Sequence, residues 1–350
     1  MTIYAEESQE NTIGETPCDI DGNELALITV HYGGYNELRK RATMSAVMDW
    51  DRQNRHPDEA VFLELVCPGE RPCFQSSDLP SWLRYIRIYG KERNRNLFQK
   101  EALWNLATKF TIAPKLLYLD SDVSPIDTHD YFRRISDAIA PGTIVHACFK
   151  LIQEGYEEDY LGEMYSVLAP FDKTPGNRYR FPGIGYGMTR QDYHDRDGFN
   201  PFSIPGSGDV IFIWETFPDI HQPMGSARRF HEALIRPNRP ALRHVAPDGI
   251  VMQHNYHGAK VDRAYVWSRE AVLLFGIPNA YCHIDQSGLL AWNDPDFILK
   301  DILMQKSRMH TKDDLYKLVC ETVKKRLDRQ EYNQKRGKGH YDRRDFNQYD

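Results

Sequence analysis

The feature that most constrains this chain is an apolar run that ends in two acids, Lys115-Leu-Leu-Tyr-Leu-Asp-Ser-Asp-Val-Ser124. Residues 116–119 predict a buried strand, and Asp120 and Asp122 follow it, spaced by one residue. Residues i and i+2 of a strand share a face, and a turn after the strand lets both carboxylates reach one point. Two hard oxygen ligands there suit a divalent cation that carries a diphosphate. The alternative is that the two acids only cap the next turn or helix.

Composition places the chain among ordinary globular proteins. Of its 350 residues, 41% are hydrophobic and 27% are charged, and the mean hydropathy is -0.61. No apolar run approaches the roughly 20 residues of a membrane span, and the acidic N-terminus carries no secretory signal. The six cysteines are scattered without metal-type pairing, which predicts a reducing, cytoplasmic compartment.

Charge is distributed unevenly along the chain. The net charge of -6 does not indicate a polyanionic partner for the whole protein. Between Lys324 and Phe346, however, nine Lys or Arg residues outnumber four acids, which gives this tail a net charge of +5. The tail either follows a phosphate backbone or is a solvated C-terminus.

Strands and helices alternate along the first half of the chain. Residues 24–30 and 60–66 predict buried strands, and residues 97–110 and 127–140 predict helices on either side of the acid-bearing strand. This alternation predicts an α/β fold with a mostly parallel central sheet and helices on both faces. Ligands in such folds bind beyond the carboxyl ends of the strands, where His31 and the acid pair both lie.

The second half is less regular. Residues 150–205 are polar, aromatic and rich in Gly and Pro, which indicates functional loops, and Phe181-Pro-Gly-Ile-Gly-Tyr-Gly187 is interpreted as flexible backbone. Residues 291–309 and 312–328 predict late helices. The domain organisation expected is a flexible arm over residues 1–22, one globular domain over 23–310, and a C-terminal helix with a basic tail over 311–350.

The order of these blocks resembles the GT-A glycosyltransferases, in particular galactosyltransferase-like members and family-2-like enzymes of phage and bacteria. The resemblance covers roughly residues 24–310. Phe98-Gln-Lys-Glu-Ala-Leu-Trp-Asn105 resembles a Phe-Asn-Arg-Ala-x-Leu-x-Asn helix that precedes the metal-binding strand. Gly206-Ser-Gly-Asp209 is similar to a Gly-Gly-Glu-Asp block, although the family often has further acids where this chain has Val210.

Three other blocks carry the same resemblance. Residues 181–190, followed by Gly198-Phe-Asn, are similar to the acceptor-side segment of the family. Val251-Met-Gln-His254 resembles a strand that ends in a metal-ligand histidine. His257-Gly258 with Arg263, Tyr265 and Arg269 resembles the trailer of phage-type members.

The resemblance implies a Rossmann-like GT-A fold with a C-terminal helical extension. It implies transfer of a hexosyl or pentosyl group from a nucleotide-sugar, expected to be a UDP-sugar, to a hydroxyl acceptor. It implies Mn²⁺ or Mg²⁺ held by Asp120, Asp122 and His254, with Asp209 as general base and inversion at the anomeric carbon. The implied donor contacts are His31, Tyr32, Gly33, Glu64, Lys100, Asn105, Ser121, His257 and Arg263. The implied acceptor contacts are Gly185, Tyr186, Gly208 and Trp214.

Several alternatives stay open. The acceptor is either a glycan or a hydroxymethylated pyrimidine in phage-type DNA, in the cytoplasm of a bacterium or of a phage-infected host. A nucleotidyltransferase or pyrophosphorylase would share the sheet and the acids, but should carry a Gly-rich loop with a Lys or Arg after the first strand. Gly33-Gly34 is short and lacks that pattern. The ordered acids and histidines also argue against a non-catalytic carbohydrate-binding module. The oligomeric state is left open.

Overall fold

The computed structural model describes residues 24–126, 128–153, 163–166, 180–181, 183–204, 206–217, 226–255, 265–294, 296–305, 308 and 310–335. Its strands are β1 Leu25–Tyr32, β2 Glu59–Val66, β3 Arg84–Tyr89, β4 Lys115–Leu119, β5 Val123–Ile126, β6 Thr143–His146, β7 Lys150–Gln153, β8 Glu163–Ser166, β9 Arg180–Phe181, β10 Gly185–Thr189, β11 Arg243–Val245, β12 Val251–His254, β13 Cys282–Ile284 and β14 Leu290–Trp292. Its α-helices are α1 Glu37–Asp51, α2 Lys100–Ala107, α3 Tyr131–Ala138, α4 Arg190–Asp195, α5 Gly208–Thr216, α6 Ser226–Leu234, α7 Tyr265–Leu274, α8 Ile298–Met304 and α9 Lys312–Lys335.

A seven-stranded central sheet organises the chain, in the order β11-β6-β10-β4-β1-β2-β3. Four of its six strand pairs are parallel, and β10 runs antiparallel between β4 and β6. A second sheet has the order β5-β12-β7-β8-β9. The continuous apolar runs of β1, β2 and β4 are those of strands buried on both faces, and all three are central here.

Helices cover both faces of the central sheet. Leu25 and Leu27 of β1 lie in one apolar cluster with Trp50 of α1. Their neighbour Ile28 lies in a second cluster with Leu103 of α2, because successive side chains of a strand point to opposite faces. The predicted α/β class, with a mostly parallel sheet between two helical layers, is confirmed.

The residues that follow the acid pair form a strand that the sequence did not predict. Residues 127–140 were expected to be helical, but α3 begins only at Tyr131. Residues 123–126 form β5 and pair antiparallel with β12. This pairing joins the end of β4 to the second sheet and controls what lies beside the acids.

The interpretation of residues 181–187 as flexible backbone is wrong for its second half. Gly185 begins β10, which is paired on both sides within the central sheet. A Cβ on Gly185 would lie 2.3 Å from the carbonyl oxygen of Tyr118, and one on Gly187 would lie 2.8 Å from Cδ1 of Ile139. These glycines allow close packing of neighbouring elements, so their absence of side chains does not indicate mobility here.

The late helices form a third apolar cluster, to which α9 contributes Leu315 and Leu318. The expected helix over residues 291–309 is wrong in its first part, because residues 290–292 are a strand and α8 begins at Ile298. The Asp294 side chain accepts the Asp296 N–H at 2.9 Å, which forms a turn that delays the helix. Within the part of the chain described here, no helix is long and apolar enough to cross a membrane.

Candidate active site

The turn after β4 brings Asp122 and His254 together. Val123, the first residue of β5, is paired with His254 of β12, so the acid before β5 lies beside the histidine that ends β12. Oδ1 of Asp122 is 3.5 Å from Nε2 of His254. The backbone N–H of Asn255 donates to the Asp122 carbonyl at 2.9 Å, which holds the turn. A carboxylate and an imidazole from distant parts of the sequence therefore meet at the carboxyl edge of the central sheet.

Asp120, the other acid of the pair, binds a lysine from the neighbouring helix. Nζ of Lys100, the first residue of α2, is 3.1 Å from Oδ1 of Asp120 and 4.9 Å from the centroid of the Trp104 ring. Burial raises the pKa of Asp120, an effect that the charge of Lys100 opposes and that of Asp122 reinforces. The acid pair thus has a cation on one side and an imidazole on the other.

The donor set at this edge fits a hard divalent cation. Two carboxylates and one imidazole are ligands that Mn²⁺ and Mg²⁺ both accept. Two cis ligands of an octahedral site lie about 3 Å apart when each bond is about 2.1 Å. The separation of 3.5 Å between Asp122 and His254 is close to that value. The side chains of Lys100, Asp120, Asp122 and His254 keep between 15% and 22% of their surface exposed, so a ligand can reach them.

A second group of ligand-type atoms lies at the ends of β1 and β2. Within the described ranges, His31, Glu64 and Cys73 are the one group of three such residues whose ligand atoms all lie within 4.8 Å of one another. Glu64 already accepts hydrogen bonds from the Tyr85 hydroxyl and from the backbone N–H of Cys73. Burial raises the pKa of the Cys73 thiol, which disfavours the thiolate that a metal would bind. Because Glu64 is already hydrogen-bonded and Cys73 favours its neutral thiol, this group is a poorer metal site than the acid pair.

The parallel register brings two predicted donor contacts together, because His31 of β1 is paired with Glu64 of β2. Tyr32 follows and packs edge-on against Phe98, with ring centroids 5.3 Å apart. Gly33 has a φ of +93°, a conformation that side-chain-bearing residues rarely adopt. The hydroxyl of Ser121 accepts a hydrogen bond from Thr43 of α1 at 3.3 Å. Two other predicted donor contacts lie outside the described residues: His257 and Arg263.

Asn105, also predicted to contact the donor, hydrogen-bonds within the protein, and its donor contact stays a prediction. Its Oδ1 accepts the Phe199 N–H at 2.9 Å and the Tyr193 hydroxyl at 3.1 Å, and its Nδ2 donates to the Phe199 carbonyl at 2.8 Å. Both lone pairs of the amide oxygen are thereby used. Asn105 joins α2 to the segment after α4, and this packing role explains its presence without a donor contact.

Asp209, the predicted base, lies in the first turn of α5. Ser207, just before the helix, has a φ of +79°, and its hydroxyl accepts a hydrogen bond from Nη2 of Arg269 on α7. The hydroxyl of Tyr186 donates to the Asp209 carbonyl at 3.2 Å. Two residues that fix the start of α5, Tyr186 and Arg269, thus come from a central strand and from a distant helix.

Lys100 links the acid pair electrostatically to the start of α5. Burial opposes its charge, but Asp120, Glu101 and Asp209 together raise its pKa above the ordinary range. The fields of both Asp120 and Asp209 therefore reach one ammonium group. The site residues predicted from the two halves of the sequence form one charged cluster.

Glu101 was missed by the sequence analysis. It follows Lys100 on α2, is 1% exposed, and lies against the backbone of Gly208. Burial raises its pKa to about 7, with a further rise from Asp209 and an opposing effect from Lys100. In the sequence it is an acid in the first turn of a helix, a common position that carries no signal of a site.

The four predicted acceptor contacts are buried. Tyr186 is 1% exposed, and Trp214 is 4% exposed with its ring 5.0 Å from that of His231. Gly185 and Gly208 are also buried, each against another element. In this conformation these residues shape the core beneath the cleft and offer little surface to an acceptor. Their role as acceptor contacts stays a prediction.

Comparisons with known proteins give distant likenesses. No family model matches the chain, and no curated protein matches it. Among solved structures, it is similar to a mutant of Drosophila β1,4-galactosyltransferase 7 in complex with manganese, UDP-Gal and xylobiose. The identity is 14%, over 67% of this chain and 71% of that one, with a TM-score of 0.37.

Two further solved structures are similar at the same level. One is the mannosyltransferase PcManGT from Pyrobaculum calidifontis with GDP-Man and Mn²⁺, at 13% identity over 87% of this chain and 75% of that one, with a TM-score of 0.38. The other is GalNAc-T7 with UDP, GalNAc and Mn²⁺, at 10% identity over 67% of this chain and 43% of that one, with a TM-score of 0.40. At these identities and TM-scores, the structural likenesses assign no function.

Proposed function

We propose that this chain is a metal-dependent GT-A glycosyltransferase that takes its sugar from a nucleotide-sugar, with UDP as the expected nucleotide. The observation that carries the proposal is the Asp122–His254 pair, 3.5 Å apart at the carboxyl edge of a mostly parallel sheet. Asp120 lies two residues before Asp122 and binds Lys100 at 3.1 Å. Nucleotide ligands of α/β sheets bind at such edges, which supports a diphosphate at this place.

In this proposal the metal is Mn²⁺ or Mg²⁺, held by Asp122, His254 and Asp120. Such a cation neutralises the negative charge that develops on a departing nucleoside diphosphate. Lys100 offers a second positive charge beside the acid pair and is oriented by Trp104 and Asp120. His31 and Glu64, paired at the ends of β1 and β2, are proposed to lie near the nucleoside.

Asp209 is the proposed general base. Its carboxylate would accept the proton of an acceptor hydroxyl while the oxygen of that hydroxyl bonds to the anomeric carbon. The bond between this carbon and the diphosphate oxygen breaks in the same displacement, and its electrons leave with the diphosphate. A base and a leaving group on opposite sides of the sugar give inversion. The start of α5 supports the assignment, since Tyr186 binds the Asp209 carbonyl and Arg269 binds the Ser207 hydroxyl just before the helix.

The acceptor is proposed to be a glycan hydroxyl or a hydroxymethylated pyrimidine in DNA. The basic residues from Lys324 onwards support the second choice, because a net charge of +5 favours a polyanion. Transfer to either acceptor leaves the donor site unchanged. One experiment can therefore test the glycan acceptor and the DNA acceptor in parallel.

The experiment is a screen of nucleotide-sugars with the purified chain and Mn²⁺. Release of nucleoside diphosphate is measured without acceptor, with simple glycosides, and with hydroxymethylcytosine-containing DNA. We expect metal-dependent turnover that falls by at least about 100-fold in Asp122→Ala, since this change removes a direct metal ligand. Asp137→Ala is the matched control, because Asp137 is an exposed acid of α3 that pairs with Arg133 and lies near Leu25, at the opposite end of β1 from the acid pair.

Equal turnover in Asp122→Ala and wild type would refute the metal assignment. Absence of turnover with every nucleotide-sugar would refute the glycosyltransferase proposal. Product from one acceptor arm identifies the acceptor class, and its anomeric configuration by NMR tests inversion.

A further inference from the structure

The carboxylate of Glu101 occupies the space that a side chain on Gly208 would fill. A Cβ built on Gly208 would lie 1.9 Å from Oε1 and 2.2 Å from Cδ of Glu101. Gly208 does not have a positive φ, so its lack of a side chain is not explained by backbone conformation. It is explained by Glu101, which reaches from α2 to the first residue of α5.

Glu101 is an unusual group to bury. It is 1% exposed, and among the residues that the structure describes no other residue gives its carboxylate oxygens a hydrogen bond. Buried polar groups are nearly always hydrogen-bonded, and an exception calls for a specific reason. The charged groups that act on it are Lys100 of its own helix, Asp209 of α5 and Asp120 after β4.

The start of α5 is the part of the molecule that this carboxylate faces. The helix has nine residues, and its first intrahelical bond runs from the Ile211 N–H to the Ser207 carbonyl at 3.1 Å. The side chain of Ser207 does not cap the helix, because its hydroxyl accepts from Arg269 instead. A negative group beside the positive end of the helix dipole is favourable and compensates in part for the desolvation of Glu101.

The two sequence patterns that this chain resembles place the acid on the opposite element. The pattern over residues 98–105 has Ala where this chain has Glu101. The pattern over residues 206–209 has Glu where this chain has Gly208. This chain has its acid on α2 and a glycine at the start of α5, and the contact between them places a carboxylate beside that start.

We propose that Glu101 is a positioning residue for Asp209, placing a carboxylate from α2 against the first residue of α5. It holds the first turn of α5 against the Lys100–Asp120 pair and so sets Asp209 relative to the metal side of the cleft. This inference rests on the proposed function. The pKa of Glu101, raised to about 7, accords with a carboxyl group buried among these charges.

The test uses four variants of the full chain under conditions in which wild type turns over. Glu101→Gln keeps the shape and removes the charge, and Glu101→Ala removes the whole group. The double variant Glu101→Ala/Gly208→Ala refills the space with a methyl group. The double variant Glu101→Ala/Gly208→Glu returns the acid to α5. Glu92→Ala, which loses a partly exposed acid paired with Lys300 just before α2, is the control.

We expect Glu101→Gln and Glu101→Ala to lower kcat by about 10- to 100-fold, as a misplaced catalytic group does. The KM for the nucleotide-sugar should stay within about twofold, because the metal side is intact. Glu101→Ala/Gly208→Ala should recover the melting temperature and not kcat. Glu101→Ala/Gly208→Glu should recover kcat as well.

Recovery of kcat in Glu101→Ala/Gly208→Ala would reduce Glu101 to a packing group and overturn the proposal. Full kcat in Glu101→Gln would do the same. Either result leaves the glycosyltransferase proposal intact, provided that wild type is active and Asp122→Ala is not. If wild type turns over no nucleotide-sugar, both proposals are overturned together. The activity of wild type therefore separates this outcome from the first two, in which wild type is active.

Discussion

At the scale of single residues, Lys100 balances the charges of the cleft. Its ammonium binds Asp120 at 3.1 Å, and the charges of Glu101 and Asp209 also favour its protonated form. Among the described residues of this cluster, acids outnumber cations. A divalent cation placed at the acid pair relieves their mutual repulsion, so the protein without metal already favours binding one.

His231 shows how burial of a titratable group makes stability depend on pH. It is 1% exposed on α6 and packs edge-on against Trp214. Burial, with a smaller contribution from the charge of Arg269, lowers the pKa of His231 to about 4. Because the pKa in the folded state lies below that in the unfolded state, the unfolded chain binds more protons between about pH 4 and 6.5. Stability is therefore lost as pH falls through this window.

We predict that His231→Leu reduces this pH dependence. A shift from 6.5 to about 4 corresponds to a loss on the order of 2 kcal/mol at pH 5 relative to pH 7.5. Leu has a similar volume and no titratable group. Urea unfolding at several pH values measures the difference between variant and wild type. The exposed His129→Leu serves as control, and an unchanged slope in His231→Leu would contradict the assignment.

The sequence indicates some residues of the proposed site and gives no signal for others. Asp120 and Asp122 are identifiable because their spacing after an apolar run has a simple geometric meaning. Glu101 is not, because its importance depends on contact with Gly208, which lies more than a hundred residues later. Asn105 looks like a site residue in sequence and has a packing role in the fold.

At the scale of elements, β10 is the insertion that completes the central sheet. It runs antiparallel between β4 and β6, and Gly185 is paired with Leu119 at the end of the acid-bearing strand. The Asp120 N–H donates to the Ile184 carbonyl at 2.9 Å, just before β10 begins. The position of the acid pair therefore depends on how closely β10 approaches β4.

We predict that Gly185→Ala strongly destabilises the protein. Its Cβ would lie 2.3 Å from the Tyr118 carbonyl, a backbone atom that cannot move alone. The expected cost is about 3 kcal/mol or more, through overpacking at a central strand. Gly142→Ala is the control: nothing lies within 4 Å of its Cβ, and only its φ of +72° opposes the change, at about 1 kcal/mol. Urea unfolding compares the two, and equal costs would show that the close approach is unimportant.

Element type is predictable from sequence where one physical signal dominates. β1, β2 and β4 are continuous apolar runs, and their strand character follows directly. β5 contains Pro125, which argues against a strand in sequence but is tolerated here because β5 is the edge strand of the second sheet. β10 has two glycines in five residues, and its strand character follows from packing that no local pattern reveals.

At the scale of the whole molecule, the cleft is assembled from segments far apart in sequence. The end of β4 supplies two acids, β12 supplies His254, α2 supplies Lys100 and Glu101, and the start of α5 supplies Asp209. The β5–β12 pairing and the Glu101–Gly208 contact connect these segments. One consequence is that metal binding at one end of the cleft should be measurable without chemistry at the other.

Calorimetric titration of the full chain with UDP, with and without Mn²⁺, tests whether a metal held at the acid pair binds the nucleotide. We predict that Mn²⁺ tightens UDP binding in wild type. In His254→Ala this gain should fall by at least about tenfold, because a metal ligand is lost. The surface change Asp137→Ala should keep the full gain. Metal-independent UDP binding in wild type, or an undiminished gain in His254→Ala, would contradict the account.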